Sequence, residues 1–154
     1  MNDVHPGIRP LAFLVGTWRG DGAGDYPTIE PFSYDEEIVV DHVGKPFLRS
    51  LQRTREATAG TPLHTETGYW RWTGIRPELV IAQPTGVVEV LTGELKGTTL
   101  RLRSVLVGTT PTAKEVATTE RRIVVEDDVM RYRFSMAAVG REHGLHLEAE
   151  LRRS

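Results

Sequence analysis

The sequence predicts an all-β fold, a ten-stranded antiparallel up-and-down barrel with a short N-terminal helical turn. Segments in which apolar and polar residues alternate recur about every ten residues, with Gly and Pro between them. An open sheet of this size would leave its edge strands unprotected, whereas closure removes them. A chain of 154 residues supplies one core. We therefore expect a single barrel domain over residues 1–154, in which residues 1–8 form a flexible lead.

The individual elements follow from the alternation, which is clearest where Met130, Tyr132 and Phe134 share one strand face opposite Arg131 and Arg133. A single helical turn at Arg9–Val15 is expected to plug one end of the barrel. Residues that reverse a chain easily lie between most of the segments. The predicted strands are Trp18–Ala23, Phe32–Asp41, Phe47–Arg55, His64–Trp72, Leu79–Gln83, Val87–Leu95, Thr99–Val107, Glu115–Glu126, Met130–Ala138 and His143–Arg152.

The strand count predicts a ligand cavity. A barrel of about eight strands just fills with side chains or holds one small ligand, so ten strands enclose more space. If the protein were only an interaction module, side chains would instead fill this space.

Composition excludes several classes of function. The net charge of −2, from 19 basic and 21 acidic residues spread along the chain, provides no strong field for nucleic acid or anionic lipid. No apolar run approaches the roughly 20 residues of a transmembrane helix. The start MNDVHPGIRP lacks the pattern of a signal peptide, which favours a cytoplasmic location. Without cysteine, any metal must be held by His, carboxylate, Tyr or Met.

A glycine-rich motif begins the first strand, with Gly16, Trp18, Gly20 and Gly22 on one face. Small residues on one strand face suit a bend, or the close approach of a ligand or another backbone. The favoured interpretation is structural, a strand kink beside a core tryptophan. The spacing does not match a phosphate-binding loop.

None of the five histidines forms the i, i+4 pair of a hydrolytic zinc site. His146 lies in a segment whose apolar face carries Leu145 and Leu147, so simple alternation directs His146 outward. A bulge beside Gly144, or a position at the barrel mouth, would change this.

Two carboxylate runs, Asp35–Glu37 and Glu126–Asp128, suggest acid–base chemistry or calcium binding at first sight. Neither run has the spacing of a calcium loop, so both are expected to be solvated edges and turns. The chain also lacks the G-x-S-x-G elbow of acyl-transfer enzymes.

Seven segments, in order from about residue 9 to the end, together resemble the nitrobindin family. They are Gly16–Gly22, Tyr26–Ile29, Phe32-x-Tyr34-x-Glu36-Glu37, His42–Leu48, Glu66-x-Gly68-Tyr69, Thr112–Val116 and His146-Leu147-x-Ala149-x-Leu151. Each segment alone is weak evidence, but their common order across the chain makes coincidence improbable.

The resemblance implies a barrel of the calycin, fatty-acid-binding-protein-like type with one ferric b-type haem per chain. It implies peroxynitrite isomerisation to nitrate, with His146 as the catalytic proximal ligand of the iron, and Thr28 and Lys114 close to the haem. It also implies nitric oxide as a ligand of the same iron, in a sensing or carrier role, and leaves a homodimer open. The alternative is a carrier that holds an apolar small ligand in the cavity without metal.

Overall fold

The computed structural model describes residues 3–26, 29–137 and 144–154 of the chain. Thr28, His143 and Ala138, which belong to the expected haem contacts and strand ends, lie outside the described residues.

The described chain forms a closed antiparallel barrel of ten strands, as predicted. Each strand pairs with its neighbours in sequence, and β1 pairs with β10 to close the sheet. The strands are β1 Gly16–Tyr26, β2 Ile29–Asp41, β3 Leu48–Glu56, β4 Pro62–Trp72, β5 Pro77–Ala82, β6 Val87–Lys96, β7 Thr99–Thr109, β8 Thr118–Glu126, β9 Val129–Ala137 and β10 Leu145–Arg153.

Most predicted strand ends differ from those of the structure by one to three residues. The eighth strand begins at Thr118 rather than Glu115, because residues 110–117 leave the sheet in a connection that contains Pro111 and a turn hydrogen bond from Ala113 N to Thr110 O. The fifth strand ends at Ala82, since Gln83 already belongs to the next turn.

A 3₁₀-helix at Pro6–Leu14 plugs one end of the barrel. It is longer than the single turn predicted at Arg9–Val15, and it includes part of the expected lead, residues 1–8. Burial explains its position, since Ile8 and Leu11 are 0% exposed and join the core. Trp18 fastens the helix by donating a hydrogen bond from Nε1 to Leu14 O at 2.9 Å. The guanidinium of Arg153 lies 4.3 Å from the Trp18 ring centroid.

The two ends of the barrel differ. The helix leads directly into the start of β1, so it covers the end where β1 begins and β10 finishes. At the opposite end β1 finishes and β10 begins, with Asp25 paired with His146. The connections after β3, β5 and β7 lie at this second end. We call it the open end.

The glycine motif of β1 has a packing role, which supports the structural interpretation. A Cβ on Gly22 would lie 2.5 Å from Cζ of Tyr34, and one on Gly24 would lie 2.2 Å from Cζ of Phe32. These glycines therefore let two aromatic rings of β2 lie across the inner face of β1. Trp18, on the same face, is 0% exposed.

Candidate functional site

A cavity of about 670 Å³ occupies the barrel interior. The hypothesis of a plain interaction module, which requires an interior filled by side chains, was therefore wrong. Leu14 of the plug contributes to its floor, and most of its lining is apolar. The predicted inner face of β9 is confirmed. Its residues Met130, Tyr132, Phe134 and Met136 all line the cavity. Its size lies in the range of about 300–1,000 Å³ typical of pockets for small organic ligands.

Residues from several connections surround the cavity near the open end. Leu63 comes from the start of β4, Thr85 from the β5–β6 turn and Lys114 from the β7–β8 connection. Met136 and Leu145 contribute the ends of β9 and β10. A ligand that enters at the open end meets mainly apolar side chains. Among the residues named here, Lys114 is the one cation, and it is exposed.

An ion-pair network crosses the interior around Arg121. The Arg121 guanidinium contacts Oε1 of Glu66 at 2.7 Å and Oε2 of Glu89 at 2.6 Å. Gln83 donates a second hydrogen bond to Glu89 Oε2 at 2.5 Å. Arg121 also lies 4.5 Å from the centroid of Phe134. Although burial by itself disfavours the charge, Glu66 and Glu89 hold the pKa of Arg121 above its usual range.

A second network joins β2, β3 and β9 around Glu36, which is 4% exposed. Tyr132 donates from its hydroxyl to Glu36 Oε1 at 2.6 Å, and Gln52 donates from Nε2 to Glu36 Oε2 at 2.5 Å. The Tyr34 hydroxyl lies 2.8 Å from that of Tyr132. Because the Tyr132 proton is used on Glu36, Tyr34 is the donor in this pair.

The expectation for the Asp35–Glu37 run was therefore wrong at its central residue. Asp35 is exposed and Glu37 pairs with Arg19 and Arg53 on the outer surface, but Glu36 faces the cavity. The signal was present in the sequence, because alternation places Glu36 on the same face as Tyr34 and the apolar Ile38 and Val40. The expectation for Glu126–Asp128 agrees with the structure, in which all three residues are exposed around the β8–β9 turn.

His64 is a cavity residue that the sequence reasoning passed over. It lines the cavity near the open end, and its Nε2 lies 3.5 Å from Glu66 Oε2. Among the described residues it is the one histidine in the cavity wall. Its segment, His64-x-Glu66-x-Gly68, places His64 and Glu66 on one strand face, which was the available signal.

His146 lies at the open end, on the second residue of β10. Its side chain is exposed, and its Nδ1 lies 3.1 Å from the hydroxyl of Ser135 on β9. Its neighbours Leu145 and Leu147 line the cavity instead. The described part of β10 pairs with β9 without a register shift, so alternation directs His146 outward as the pattern of residues indicated.

The sequence matches a known protein family over nearly its whole length. A profile described as "THAP4-like, heme-binding beta-barrel domain" matches residues 7–153. The chain belongs to this haem-binding family. The expected membership of the nitrobindin family is thereby confirmed.

Members of this THAP4-like family match nearly the whole chain. It is 48% identical to "Peroxynitrite isomerase 2" of Mycobacterium ulcerans (strain Agy99), over 98% of this chain and 97% of the relative. It is 47% identical to "Peroxynitrite isomerase" of Nocardia farcinica (strain IFM 10152), over 97% of this chain and 92% of the relative. The crystal structure of Rv2717c from M. tuberculosis superposes with a TM-score of 0.92 at 43% identity, covering 99% of both chains. These matches confirm the calycin-like barrel.

The interior of this THAP4-like barrel fits a haem on three structural grounds. The cavity is large, its walls are mostly apolar and it opens at one end of the barrel. Two histidines, His64 and His146, lie near that end, and neutral imidazole is a common ligand of haem iron. Lys114 supplies a cation near the same end. Within the residues described, no helix has the length and apolar character that crossing a membrane requires.

The buried carboxyl of Glu36 predicts an unusual pH dependence of stability. Desolvation outweighs the hydrogen bonds from Tyr132 and Gln52 and raises the pKa of Glu36 to about 7. Since the folded protein then binds this proton more tightly than the unfolded chain, the contribution of Glu36 to stability is present at pH 4–5 and is lost as the pH rises toward 7. Replacing it by Gln should remove this loss.

We therefore compare the free energy of unfolding of Glu36→Gln with that of the unmodified protein. The difference should shift in favour of Glu36→Gln by on the order of 2–3 kcal/mol as the pH rises from 5 to 8. Urea unfolding at one-unit pH intervals measures this difference. Glu37→Gln is the matched control, because hydrogen bonds from Arg53 and Arg19 lower the pKa of Glu37 and keep it ionised throughout this window. A difference that stays constant with pH for Glu36→Gln would contradict the prediction.

Proposed function

We propose that this chain is a haem-dependent peroxynitrite isomerase that converts peroxynitrite to nitrate, with one ferric b-type haem per chain. The observation that carries the proposal is the large apolar cavity, open at one end, in a haem-binding barrel 48% identical to a protein named peroxynitrite isomerase. Nitric oxide binding at the same iron, in sensing or reversible carriage, forms part of the proposal. We place the protein in the cytoplasm as one domain over residues 1–154.

In this proposal His146 would hold the haem iron, and Thr28 and Lys114 would lie beside the haem. The support for His146 is its position where β10 begins at the open end, together with a hydrogen bond that engages Nδ1 and leaves Nε2 for a metal. The haem, when bound, supplies the iron centre at which peroxynitrite rearranges to nitrate.

The protein's own residues contribute binding, orientation and exclusion of water. The apolar walls near the open end, including Leu63, Val116 and Leu147, exclude water and restrict the escape of reactive fragments. The ammonium of Lys114 attracts anions to the mouth and suits a haem propionate. The Arg121 guanidinium is not free for this purpose, because Glu66 and Glu89 already neutralise it.

His64 is a second candidate for a haem contact, and a specific observation favours it. Its side chain lies in the cavity wall, whereas the side chain of His146 lies on the outer face of β10. A haem seated deep in the cavity would meet His64, while a haem at the rim would meet His146. Single substitutions of His64 and His146 distinguish these two positions of the haem.

The deciding experiment is a haemin titration of the apo-protein, followed by absorbance in the Soret region. We expect saturation near one haem per chain, followed by rapid conversion of peroxynitrite to nitrate in stopped-flow and product assays. His146→Ala should lower the affinity for haemin by at least tenfold, because the axial bond is lost. His42→Ala is the matched control, since His42 lies in the β2–β3 turn at the plugged end.

Each other outcome has a definite meaning. Loss of the Soret change in His64→Ala but not in His146→Ala would move the axial ligand into the cavity wall and overturn the role of His146. If the unmodified protein shows no saturable Soret change, the isomerase proposal fails and the carrier of an apolar small ligand takes its place. That carrier would keep its ligand in His146→Ala.

A further inference from the structure

The polar groups of the cavity wall have an excess of negative charge. Two carboxylates that line the cavity, Glu36 and Glu66, and the fully buried Glu89 lie around a single guanidinium, that of Arg121. His64 lies beside Glu66, and Lys114, the other permanent cation of the cavity lining, lies near the open end. Among the described residues of this inner cluster, the three carboxylates thus outnumber the one guanidinium.

The hydrogen bonds of this wall are also unbalanced. Tyr34 donates its hydroxyl proton to Tyr132, and Tyr132 donates to Glu36. Gln52 donates from Nε2 to the same carboxyl. The donors Gln83 and Arg121 converge on Oε2 of Glu89. Four buried atoms of the described residues lack a partner, namely Gln52 Oε1, Glu89 Oε1, Thr119 Oγ1 and Arg121 Nε.

Two of these unpartnered atoms are acceptors on nearly fully buried side chains. Gln52, which is 9% exposed, lines the cavity, and Glu89 is 0% exposed. A buried acceptor without a donor costs about 1–3 kcal/mol. A ligand that brings an N–H donor to Gln52 Oε1 would therefore relieve a deficit that already exists in this wall, whereas Glu89 is not among the residues that line the cavity.

The same wall disfavours an anionic head group. A carboxylate ligand would have to displace Glu66 or Glu89 from Arg121, because both already pair with this guanidinium. Like charges in a poorly solvated interior repel strongly.

We propose that the inner wall of the cavity is a binding site for the ammonium group of an amphiphilic amine, whose alkyl chain lies along the apolar wall toward the open end. Glu36 and Glu66 provide the negative charge, and Gln52 provides an amide acceptor. Ile38, Ile81 and Ile123 are among the apolar residues that line the same cavity. The ammonium site does not use the haem iron, although the alkyl chain would occupy part of the same cavity, so binding is tested on the haem-free chain.

Proton release offers a signature of this site. Glu36 is faced by Tyr34 of its own strand, Gln52 of β3, Glu66 of β4, Arg121 of β8 and Tyr132 of β9. Because its pKa is raised to about 7, its carboxyl is largely protonated at pH 6. An ammonium placed beside it lowers this pKa, so binding at pH 6 releases a proton from Glu36.

The test is isothermal titration of the full-length chain at pH 6 with decylamine, decanol and decanoate, in two buffers of different ionisation enthalpy. We expect saturable binding of decylamine at least tenfold tighter than that of decanol, no saturable binding of decanoate, and release of up to one proton per amine. Glu36→Gln should weaken decylamine binding at least tenfold and abolish proton release. Glu37→Gln, altered at the next residue on the outer face, should behave as the unmodified protein.

The comparison of the three head groups needs no variant, so a folding defect in Glu36→Gln would not obscure the answer. Decanoate binding as tight as that of decylamine would overturn the proposal. So would the absence of decylamine binding, or equal decylamine affinity in a folded Glu36→Gln protein. Neither result would affect the haem proposal, which is read from the Soret band.

Discussion

Arg121→Met should lower the free energy of unfolding at pH 7 by about 3–5 kcal/mol, because it leaves two buried carboxylates without their cation. Glu89 is fully buried and Glu66 nearly so, and each lies within 2.7 Å of a guanidinium nitrogen. Met retains an unbranched apolar side chain in place of the aliphatic part of Arg121, so the loss reports mainly the missing guanidinium charge. Urea unfolding measures it, and Arg122→Met, on the outer face of the same strand, should change stability by less than about 0.5 kcal/mol.

The acid dependence of this effect provides a second check. Although burial by itself raises the pKa of Glu66, the charge of Arg121 lowers it to about 2. The stability that this lowered pKa contributes is present above about pH 4.5 and is lost as the pH falls toward 2. The deficit of Arg121→Met should thus shrink on acidification, and Glu66→Gln combined with Glu89→Gln should restore most of the loss. An equal deficit at pH 3 and pH 7 would show that lost packing, not unpaired charge, is responsible.

Trp18→Ala is the second large effect, with an expected loss of about 3–5 kcal/mol. The ring is fully buried in the core, holds the plug through the bond to Leu14 O, and supports the guanidinium of Arg153. Arg153 in turn donates to the carbonyls of Phe13 and Val15, so loss of the ring also loosens the end of the plug.

Urea unfolding and amide hydrogen exchange of residues 8–14 together test this prediction. Trp18→Phe should lose less, about 1–2 kcal/mol, because it keeps an aromatic ring in the core but removes the N–H donor and part of the buried ring surface. Arg19→Ala, at the exposed neighbouring residue, should cost about 1 kcal/mol or less, as expected for its exposed ion pair with Glu37. Unchanged exchange in the plug of Trp18→Ala would contradict the proposed fastening.

Sequence reasoning predicted the barrel well for a physical reason. Strand alternation and turn residues are local signals, and ten such segments leave closure as the way to protect the edges. The strand ends were less predictable, as at Glu115, because the last sheet hydrogen bond depends on the partner strand. The plug was also longer than expected, since Ile8 is fixed only by its burial against the core.

The candidate site was only partly predictable. Alternation decides which face a residue occupies, and it correctly directed His146 outward and Tyr132 inward. It does not reveal partners across the barrel. Arg121 and Glu66 are 55 residues apart in sequence, and Tyr132 and Glu36 are 96 apart, yet each pair shares a hydrogen bond.

The sequence by itself determined the strand pattern, the family and the absence of cysteine chemistry, because these depend on residue order and composition alone. Only the tertiary structure decided that Glu36 joins a network with Tyr132 of β9 and that Arg121 of β8 is neutralised by carboxylates of β4 and β6. Those facts depend on which strands face each other across a closed barrel. Closure brings together residues that no local pattern relates.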